Sequence, residues 1–543
     1  MLDPRTAPLK TTSFRKLVRT VFSRGPAQRT LHLTWFAFFL TFVVWFGFAP
    51  FAGTIGDQFG LGNAELVTLS LCNLALTVPA RLLIGGILDR IGPRRTFTAI
   101  LVFAAFATLL FASAQDFTTL VVSRLLISVA GAGFVVGIRM VSEWFPPAEV
   151  GTAEGVYGGW GNFGAAAAAL GLPVIADAMG GPDGWRWANV VIGVLAGAYG
   201  LAYARLVADT PDGVPFRPSR RVAALEVTSQ RAVVVLVAMM IPPAVAMGVI
   251  AWRVFSVGVI GAAGLSATLV LVGLWFVAQV VAITKVNRWA LGSRSPETPA
   301  YPFRSAAILA LAYACTFGSE LAAVSYLPQF FENTWGLSAT AAGAAASVFA
   351  VMNLVSRPAG GLISDLVRSR RAWLATLLGC LALGYLAMAS LTSAWPLALA
   401  LCLVLVTSLF AQAGNGAVFA IVPLVRPNAA GQVAGLAGAY GNVGGIVFLA
   451  TLLFVTPQRF FLVMAAAAAL VFVACRFLVE PSNGHDGAPS LSSPGCNETD
   501  HPSVLRIRDL EGDGELVSPV DAVDRDDRCP QPLLAGVSTT GKD

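Results

Sequence analysis

The chain has 543 residues, of which 56% are hydrophobic and only 12% charged, whereas soluble domains carry about 25% charged residues. Apolar runs of eighteen or more residues recur along it, which excludes an ordinary soluble globular protein and predicts a multi-span membrane protein. The formal net charge of +6 falls between the apolar runs and at the termini, so it reads as an orientation signal and not as a nucleic-acid footprint.

In chain order, residues 1–33 form a basic arm with Arg5, Lys10, Arg15, Lys16, Arg19, Arg24 and Arg29 against the single acid Asp3. Positive charge beside a first span holds that end in the cytoplasm. A cleavable signal peptide is not expected, because the first apolar run starts late and is too long. Six spans are predicted within 34–206, and the loop after the second carries Arg90, Arg94 and Arg95, which places it on the cytoplasmic side. Within 207–303, the runs 233–252 and 256–284 predict two extra central spans, although Pro242-Pro243 weakens the first. Arg220, Arg221 and Arg231 precede this pair, and Lys285, Arg288 and Arg294 follow it. Such flanks suit a hairpin that enters and leaves on the cytoplasmic side, despite Arg253 at its tip. The alternative, one span plus an interfacial helix, would invert the second half. Six more spans are predicted within 304–478, and their basic loop, with Arg368, Arg370 and Arg371, contradicts that inversion. The expectation is an all-α integral membrane protein of 14 spans, with two six-helix bundles and two extra central helices. Residues 479–543 are rich in Gly, Pro, Ser and Asp without helical period, and read as a disordered cytoplasmic tail. There Asn497-Glu498-Thr499 matches a glycosylation sequon by chance.

Cys72, Cys315, Cys380, Cys402, Cys475, Cys496 and Cys529 show no metal-ligand spacing and no disulfide is expected. The three histidines, His32, His485 and His501, all fall outside the predicted spans. No histidine metal site or proton relay within the bilayer is therefore expected, and no cofactor.

The two halves repeat one another. GTAEGVYGGWGNFG (151–164) aligns without a gap with GQVAGLAGAYGNVG (431–444), so that Gly151, Gly155, Gly158, Gly161, Asn162 and Gly164 pair with Gly431, Gly435, Gly438, Gly441, Asn442 and Gly444. RLLIGGILD (81–89) aligns with RPAGGLISD (357–365), pairing Arg81, Gly85 and Asp89 with Arg357, Gly361 and Asp365. Two parallel halves around a central site is a transporter architecture. Asp89 begins a charged loop at the membrane edge, and Arg81 lies roughly 12 Å further in at about 1.5 Å per residue. That is close to the middle of about 30 Å of hydrocarbon. The same count brings Arg357 to this depth. Asn162, roughly 16 Å inward from Gly151, shares the level, and Asn442 follows by symmetry.

At about 100° per residue, Gly151, Gly155, Gly158 and Asn162 fall on one stripe. Glycines there let a neighbouring helix approach closely, or leave room for a ligand against the backbone. Packing glycines with a hydrogen-bonded interhelical amide is the competing reading. An arginine at the midplane is expensive and usually functional. Two of them without an evident acid ask for an anion between them, and a planar guanidinium fork suits a flat oxyanion. The competing reading is a structural ion pair, for instance with Glu320, although one acid is too few for both.

GGILDRIGPRR (85–95) resembles the cytoplasmic-loop signature of the major facilitator superfamily. The two glycine–asparagine segments resemble the paired nitrate signatures of its nitrate/nitrite porter (NarK-type) family, a likeness that covers 34–206 and 304–478. The resemblance implies the major facilitator fold. It also implies an anion clamp of one arginine on the second span and one on the eighth of the twelve shared spans, here Arg81 and Arg357. Asn162 and Asn442 match the signature asparagines, beside Gly161 and Gly441. Aromatic rings sandwich the flat anion in that family. YACTFGS (313–319) puts Tyr313 and Phe317 in this role, and an ungapped count back from WFPP (144–147) adds Phe134. The central helices and Glu320 depart from the family pattern. Glu320, three residues past Phe317, is a coupling candidate, either pairing with an arginine or taking a proton.

Gly85, Asp89, Arg90, Arg94, Asp365 and Glu143 are candidates for the cytoplasmic gate. Arg139 and Glu143, four residues apart, are expected to pair locally, and Glu143 also to brace Arg90 or Arg94. Arg124 reads as structural or snorkelling. The absence of a catalytic triad, phosphate loop or nucleotide motif argues against an enzyme. The expected function is secondary active transport of nitrate and/or nitrite across the cytoplasmic (inner) membrane by alternating access, as proton-coupled uptake or nitrate/nitrite exchange. The transporter is expected to act as a monomer with both termini cytoplasmic, with nitrate, nitrite, the lipid bilayer and protons as partners and no nucleic acid. The rivals are a same-fold transporter of another organic or inorganic anion, and a nitrate sensor that signals through its tail.

Overall fold

Among the described residues, fourteen helices are long and apolar enough to cross a membrane. They are α1 (Pro26–Phe59), α2 (Ala64–Ile91), α3 (Pro93–Ala112), α4 (Phe117–Trp144), α5 (Val150–Met179), α6 (Gly184–Leu206), α7 (Gln230–Ser256), α8 (Ala262–Val286), α9 (Phe303–Trp335), α10 (Ala341–Leu366), α11 (Arg370–Met388), α12 (Leu397–Val425), α13 (Pro427–Thr451) and α14 (Pro457–Phe477). The structure, a computed structural model, describes residues 19, 21–147, 149–216, 224–288, 301–337, 339–452 and 454–480. The expectations for the arm before Arg19, for Arg220, Arg221 and Arg294, for Cys496, Cys529, His485 and His501, and for the tail and its sequon lie outside these residues. Among the described residues every regular element is helical.

The first helix begins at Pro26, ahead of the expected start at 34. Proline is well placed in a first helical turn, where its missing N–H forfeits no bond, and the turn it opens already buries Thr30 and Leu31. His32 therefore belongs to this span, contrary to expectation. Its Nε2 lies 2.5 Å from the Val21 carbonyl oxygen, its Nδ1 accepts from Trp35, and its ring stacks on Trp160 at 6.1 Å.

Outer helices pair in the same way in each half, α3 with α6 and α11 with α14, while the halves meet along two seams, α5 against α10 and α2 against α13. The central hairpin exists as expected. Pro242 and Pro243 open a new helical segment, Ile241–Ser256, after a break at Met239 and Met240, so they remove no interior hydrogen bond. That helix, α7, packs on both α2 and α13 and so lies on a seam, whereas α8 rests on α7 and exposes Val270, Leu271, Leu274 and Val277. An apolar helix exposed on one side suits lipid.

Four helix breaks lie beside the expected site residues. α2 is interrupted at Leu76, α4 tightens to a 3-10 turn at Ser128–Ala132, α10 does so at Met352–Leu354, and α5 breaks at Phe163. Each break stands within six residues of Arg81, Phe134, Arg357 or Asn162. Irregular backbone at membrane depth is tolerated where it lines a protein interior or cavity.

Candidate anion-binding site

The glycine stripe of each half holds the arginine of the other. Arg81 on α2 lies along α13, where a Cβ on Gly435 would stand 2.5 Å from the Arg81 carbonyl oxygen and one on Gly438 3.1 Å from its Cδ. Arg357 on α10 lies along α5, where a Cβ on Gly155 would meet the Arg357 carbonyl oxygen at 2.8 Å and one on Gly158 its Nε at 2.5 Å. A Cβ at Gly155, Gly158 or Gly435 would force a shift, and one at Gly438 would crowd Arg81, so glycine is what lets the arginines lie this close. Gly161 and Gly441 serve a different contact: a Cβ at the first would run into Phe38, and one at the second would stand 2.7 Å from Tyr313 and 2.9 Å from Phe317.

Both guanidiniums are buried. Arg81 donates from Nε to the Gly131 carbonyl at 3.1 Å and from Nη1 to the Gly438 carbonyl at 2.6 Å. Arg357 donates from Nη2 to the Tyr313 hydroxyl at 3.3 Å. The guanidinium carbons of Arg81 and Arg357 stand 5.5 and 5.1 Å from the Phe134 ring centroid. Phe317 lies under Arg81 at 5.5 Å and Tyr313 by Arg357 at 6.0 Å. Ring faces at this range attract cations and offset part of the cost of burying them.

Phe134 and Tyr313 stack across the two halves at 5.8 Å and 3°, and Phe317 continues the stack on Tyr313 at 4.9 Å and 3°. Holding a third plane between two rings needs about 7 Å, twice a contact of about 3.5 Å. Phe134 and Tyr313 are closer, so the sandwich implied by the family resemblance is shut in this conformation. Phe419 on α12 closes the edge, with its ring 4.6 Å from Phe134 and 4.7 Å from Tyr313.

Several buried polar atoms at this level have no protein partner. They are Nη2 of Arg81, Nη1 of Arg357, the Thr316 hydroxyl, and both side-chain amide atoms of Asn162 and of Asn442. Asn162 stands one turn beyond Gly158, and Asn442 one turn beyond Gly438, so each asparagine shares the helix face on which the arginine of the opposite half rests. Four of these orphans are N–H donors, two from each half. An unsatisfied buried polar group costs about 1–3 kcal/mol. An interhelical packing amide would carry hydrogen bonds, and neither asparagine does.

Glu320 is held by amides and not by an arginine. Its Oε1 accepts from Asn353 Nδ2 and its Oε2 from Asn415 Nδ2, both at 2.7 Å. The sequence reading missed both asparagines, although AQAGNG (411–416) is visibly polar within the apolar α12. It also missed Phe419, which nothing in the sequence marks among 34 phenylalanines.

At the end of the bundle that carries the basic loops, two carboxylates tie the halves together. Asp365 on α10 accepts from the backbone N–H groups of Gly151 (3.1 Å) and Thr152 (2.7 Å) and from the Thr152 hydroxyl (2.9 Å), capping α5. Asp89 on α2 accepts from the N–H groups of Gly431 (3.2 Å) and Gln432 (3.0 Å), near the start of α13. A carboxylate at a helix N-terminus satisfies orphan donors and meets the positive end of the dipole. Arg370 pairs with Asp365 at 3.0 Å and donates to the Pro147 carbonyl, while Arg139 pairs with Asp89 at 3.3 Å and donates to the Pro427 carbonyl. Each arginine thus reaches the opposite half. A Cβ on Gly85 would stand 2.5 Å from the Gly431 carbonyl oxygen, so this crossing too needs glycine. Glu143 pairs with Arg139 at 2.6 Å and does not brace Arg90 or Arg94; the Arg94 backbone N–H instead donates to Asp209 at 2.7 Å. Arg124 is buried inside the first half, donating to the Trp45 carbonyl with its guanidinium over Phe48 and Phe111, which is structure and not snorkelling. Among the described residues no group of three or more His, Cys, Asp or Glu could hold a metal ion.

Two pseudo-symmetric helical halves around a buried cationic site define a membrane transporter of the major facilitator class. Residues 34–313 and 309–495 match the Major Facilitator Superfamily, and the chain belongs to it. In fold it is similar to the human organic anion transporter MFSD10, with a TM-score of 0.57 and 14% identity over 83% of this chain and 100% of that one. It is likewise similar to the proton:xylose symporter XylE, with a TM-score of 0.59 and 13% identity over 84% of this chain and 97% of that one. Within the superfamily, the chain belongs to the nitrate/nitrite porters. It is 42% identical over 521 residues to the nitrate/nitrite transporter NrtP of Picosynechococcus sp., covering 87% of this chain and 97% of the relative. It is 43% identical over 478 residues to NrtP of Nostoc punctiforme, covering 86% and 95%. Nitrate transporter 2.1 of Chlamydomonas reinhardtii is 28% identical over 438 residues, covering 78% and 68%. The protein is a multi-pass membrane transporter and not an enzyme.

Proposed function

We propose that this transporter carries nitrate and nitrite across the cytoplasmic membrane by alternating access, with the anion held between Arg81 and Arg357. The observation that carries the reading is the gathering of four unpartnered N–H donors, on Arg81, Arg357, Asn162 and Asn442, at one buried level. Nitrate offers three coplanar acceptor oxygens and one negative charge, which matches planar donors and two cations. Phe134, Tyr313 and Phe317 flank it with ring faces, and Gly161 and Gly441 keep the helices close enough for both amides to reach. An empty site leaves two buried cations repelling one another, one from each half. The bound anion neutralises that repulsion, so the halves close on cargo and resist closing without it.

The end with the basic loops faces the cytoplasm. There Asp89, Asp365 and the glycines beneath them form the inner gate, with Glu143, Arg90 and Arg94 at its rim and both termini on that side. One chain supplies both halves of the site, so the unit of transport is a monomer in the lipid bilayer. The cargo moves either with a proton or in exchange for nitrite, and a buried carboxyl near Arg357 is where a proton would ride.

Purified protein in liposomes tests this reading. Tracer nitrate enters in a saturable manner when nitrite is trapped inside or when an inward proton gradient is imposed, and nitrite competes at similar concentrations. No saturable nitrate flux under either condition, or competition by organic phosphates and carboxylates in place of nitrite, overturns it.

A further inference from the structure

Glu154 on α5 is only 1% exposed, and neither of its carboxyl oxygens has a hydrogen-bond partner. Buried carboxylates are normally paired or hydrogen-bonded, because a bare buried charge is costly. Glu154 stands three residues past Gly151, whose N–H is capped by Asp365, and four before Gly158, on which Arg357 rests. It therefore lies about one turn from the gate and about one turn from the clamp.

The charged groups on the helices packed against α5 leave it one partner. On α10, Arg357 rests its guanidinium on Gly158, one turn along α5 from Glu154, without bonding it, while Asp365 is committed to α5 and to Arg370. On α4, Arg139 and Glu143 are paired with each other, and Arg124 is held by the Trp45 carbonyl and the Phe48 and Phe111 rings. On α1, His32 is bonded to Val21 and Trp35, and Arg29 and Asp57 are exposed. On α6, Arg186 is paired with Asp183 and donates to the Ala112 and Ala114 carbonyls, and Arg205 is exposed. α12 carries no charged residue. On α5 itself, Tyr157 donates to the Gly133 and Phe134 carbonyls, and Asp177 lies near the far end.

Resting on the nitrate reading above, we infer that Glu154 is the proton site that links protons to the anion, because Arg357 neutralises either the bound anion or the Glu154 carboxylate. With the anion on Arg357, Glu154 is a neutral carboxylic acid and needs no ionic partner. When the anion leaves, the O–H bond breaks, the proton passes to water, and the carboxylate becomes a counter-charge of Arg357 that lessens, without removing, its repulsion of Arg81. The seam between α5 and α10 opens at the gate end, so the proton leaves on the same side as the anion. One anion and one proton move together. Glu320, with an amide N–H donated to each oxygen, is instead a standing counter-charge, a different part from the coupling role expected from sequence.

The test counts protons at equilibrium. Nitrate is titrated into detergent-purified full-length protein by calorimetry, in two buffers of different ionisation enthalpy, between about pH 5 and pH 8. Native protein takes up one proton per nitrate toward the alkaline end, and its affinity weakens there by up to about tenfold per pH unit. Glu154→Gln imitates the neutral acid: it binds nitrate with no proton uptake and with an affinity that does not follow pH. Glu154→Asp and Glu320→Gln both retain proton uptake. Native protein that binds nitrate without taking up protons overturns the proposal, even if Glu154→Gln does not fold. Proton uptake that persists in Glu154→Gln overturns it as well. Native protein that binds no nitrate overturns the transport reading itself, a separate and recognisable failure that removes the proposal with it.

Discussion

Arg357 of the second half rests its guanidinium on Gly158 of the first, where a Cβ would stand 2.5 Å from Nε and 2.9 Å from Cζ. The matching contact, Arg81 on Gly438, is looser, at 3.1 Å to Cδ and 3.5 Å to Nη1. The repeat is therefore symmetric in residues and unequal in fit. Gly158→Ala displaces the end of a flexible side chain and not backbone, so the protein folds while the clamp loses its geometry. We expect Gly158→Ala to weaken nitrate binding by roughly tenfold or more, since 1.4 kcal/mol is a factor of ten, and Gly438→Ala to do so less. Binding titrations on the two variants, with thermal melts beside them, check the order. Equal effects would mean that the glycines serve helix packing alone.

The proposed clamp should depend on planar donors and not on charge alone. Arg81→Lys and Arg357→Lys each keep the cation and lose the fork. Hydrogen bonds to a charged partner contribute about 1.5–3 kcal/mol, so each variant should bind nitrate roughly 10- to 100-fold more weakly. Counter-flow into liposomes should fall to near background. Native affinity in either lysine variant would exclude a two-arginine clamp.

Asn162 and Asn442 make an unusual pairing of effects possible. Their amides have no protein partner, so Asn162→Ala and Asn442→Ala remove no hydrogen bond and relieve an unsatisfied group. Their melting temperatures should equal or exceed the native value while nitrate affinity drops, the trade expected of a binding residue. Gly161→Leu and Gly441→Leu should do the opposite, lowering the yield of intact protein through Phe38 and through Tyr313 with Phe317. Destabilised asparagine variants with native affinity would return these amides to packing.

Much of this arrangement is legible in the sequence, and the reasons are physical. Counting residues along straight helices sets depth, so Arg81, Arg357, Asn162 and Asn442 reach a common level on paper. The gapless glycine repeat marks α5 and α13 because close helix crossings leave no alternative to glycine. Partners across a seam leave no such trace. Nothing in the spacing tells that Arg357 rests on Gly158, that Phe419 closes the ring stack, or that Asp365 caps α5, since each joins residues from distant segments. His32 reads as lying outside the span because its polar neighbours hide a helix that Pro26 starts early. Glu154 went unremarked among glycines although an acid inside a span is itself a signal.

The gate offers the sharpest comparison between the halves. Asp365 accepts two backbone N–H groups and the Thr152 hydroxyl, whereas Asp89 accepts two backbone N–H groups. Both act as anions at the start of a helix from the opposite half, so they stabilise only the conformation closed at this end. Asn in place of Asp keeps the shape and loses the charge, which weakens bonds worth about 1.5–3 kcal/mol apiece. A shift of that size changes a two-state equilibrium roughly 10- to 100-fold. Val150, at the mouth of this seam, is 1% exposed. A cysteine placed there, with the native cysteines replaced, should react slowly with a membrane-impermeant maleimide added from the side of the basic loops. Asp365→Asn should raise that rate roughly tenfold or more, and Asp89→Asn should raise it less. Nitrate transport should slow in both, because a gate that rests open leaves fewer molecules able to turn outward. A labelling rate indifferent to both substitutions would show that these carboxylates hold their own helices and not the two halves.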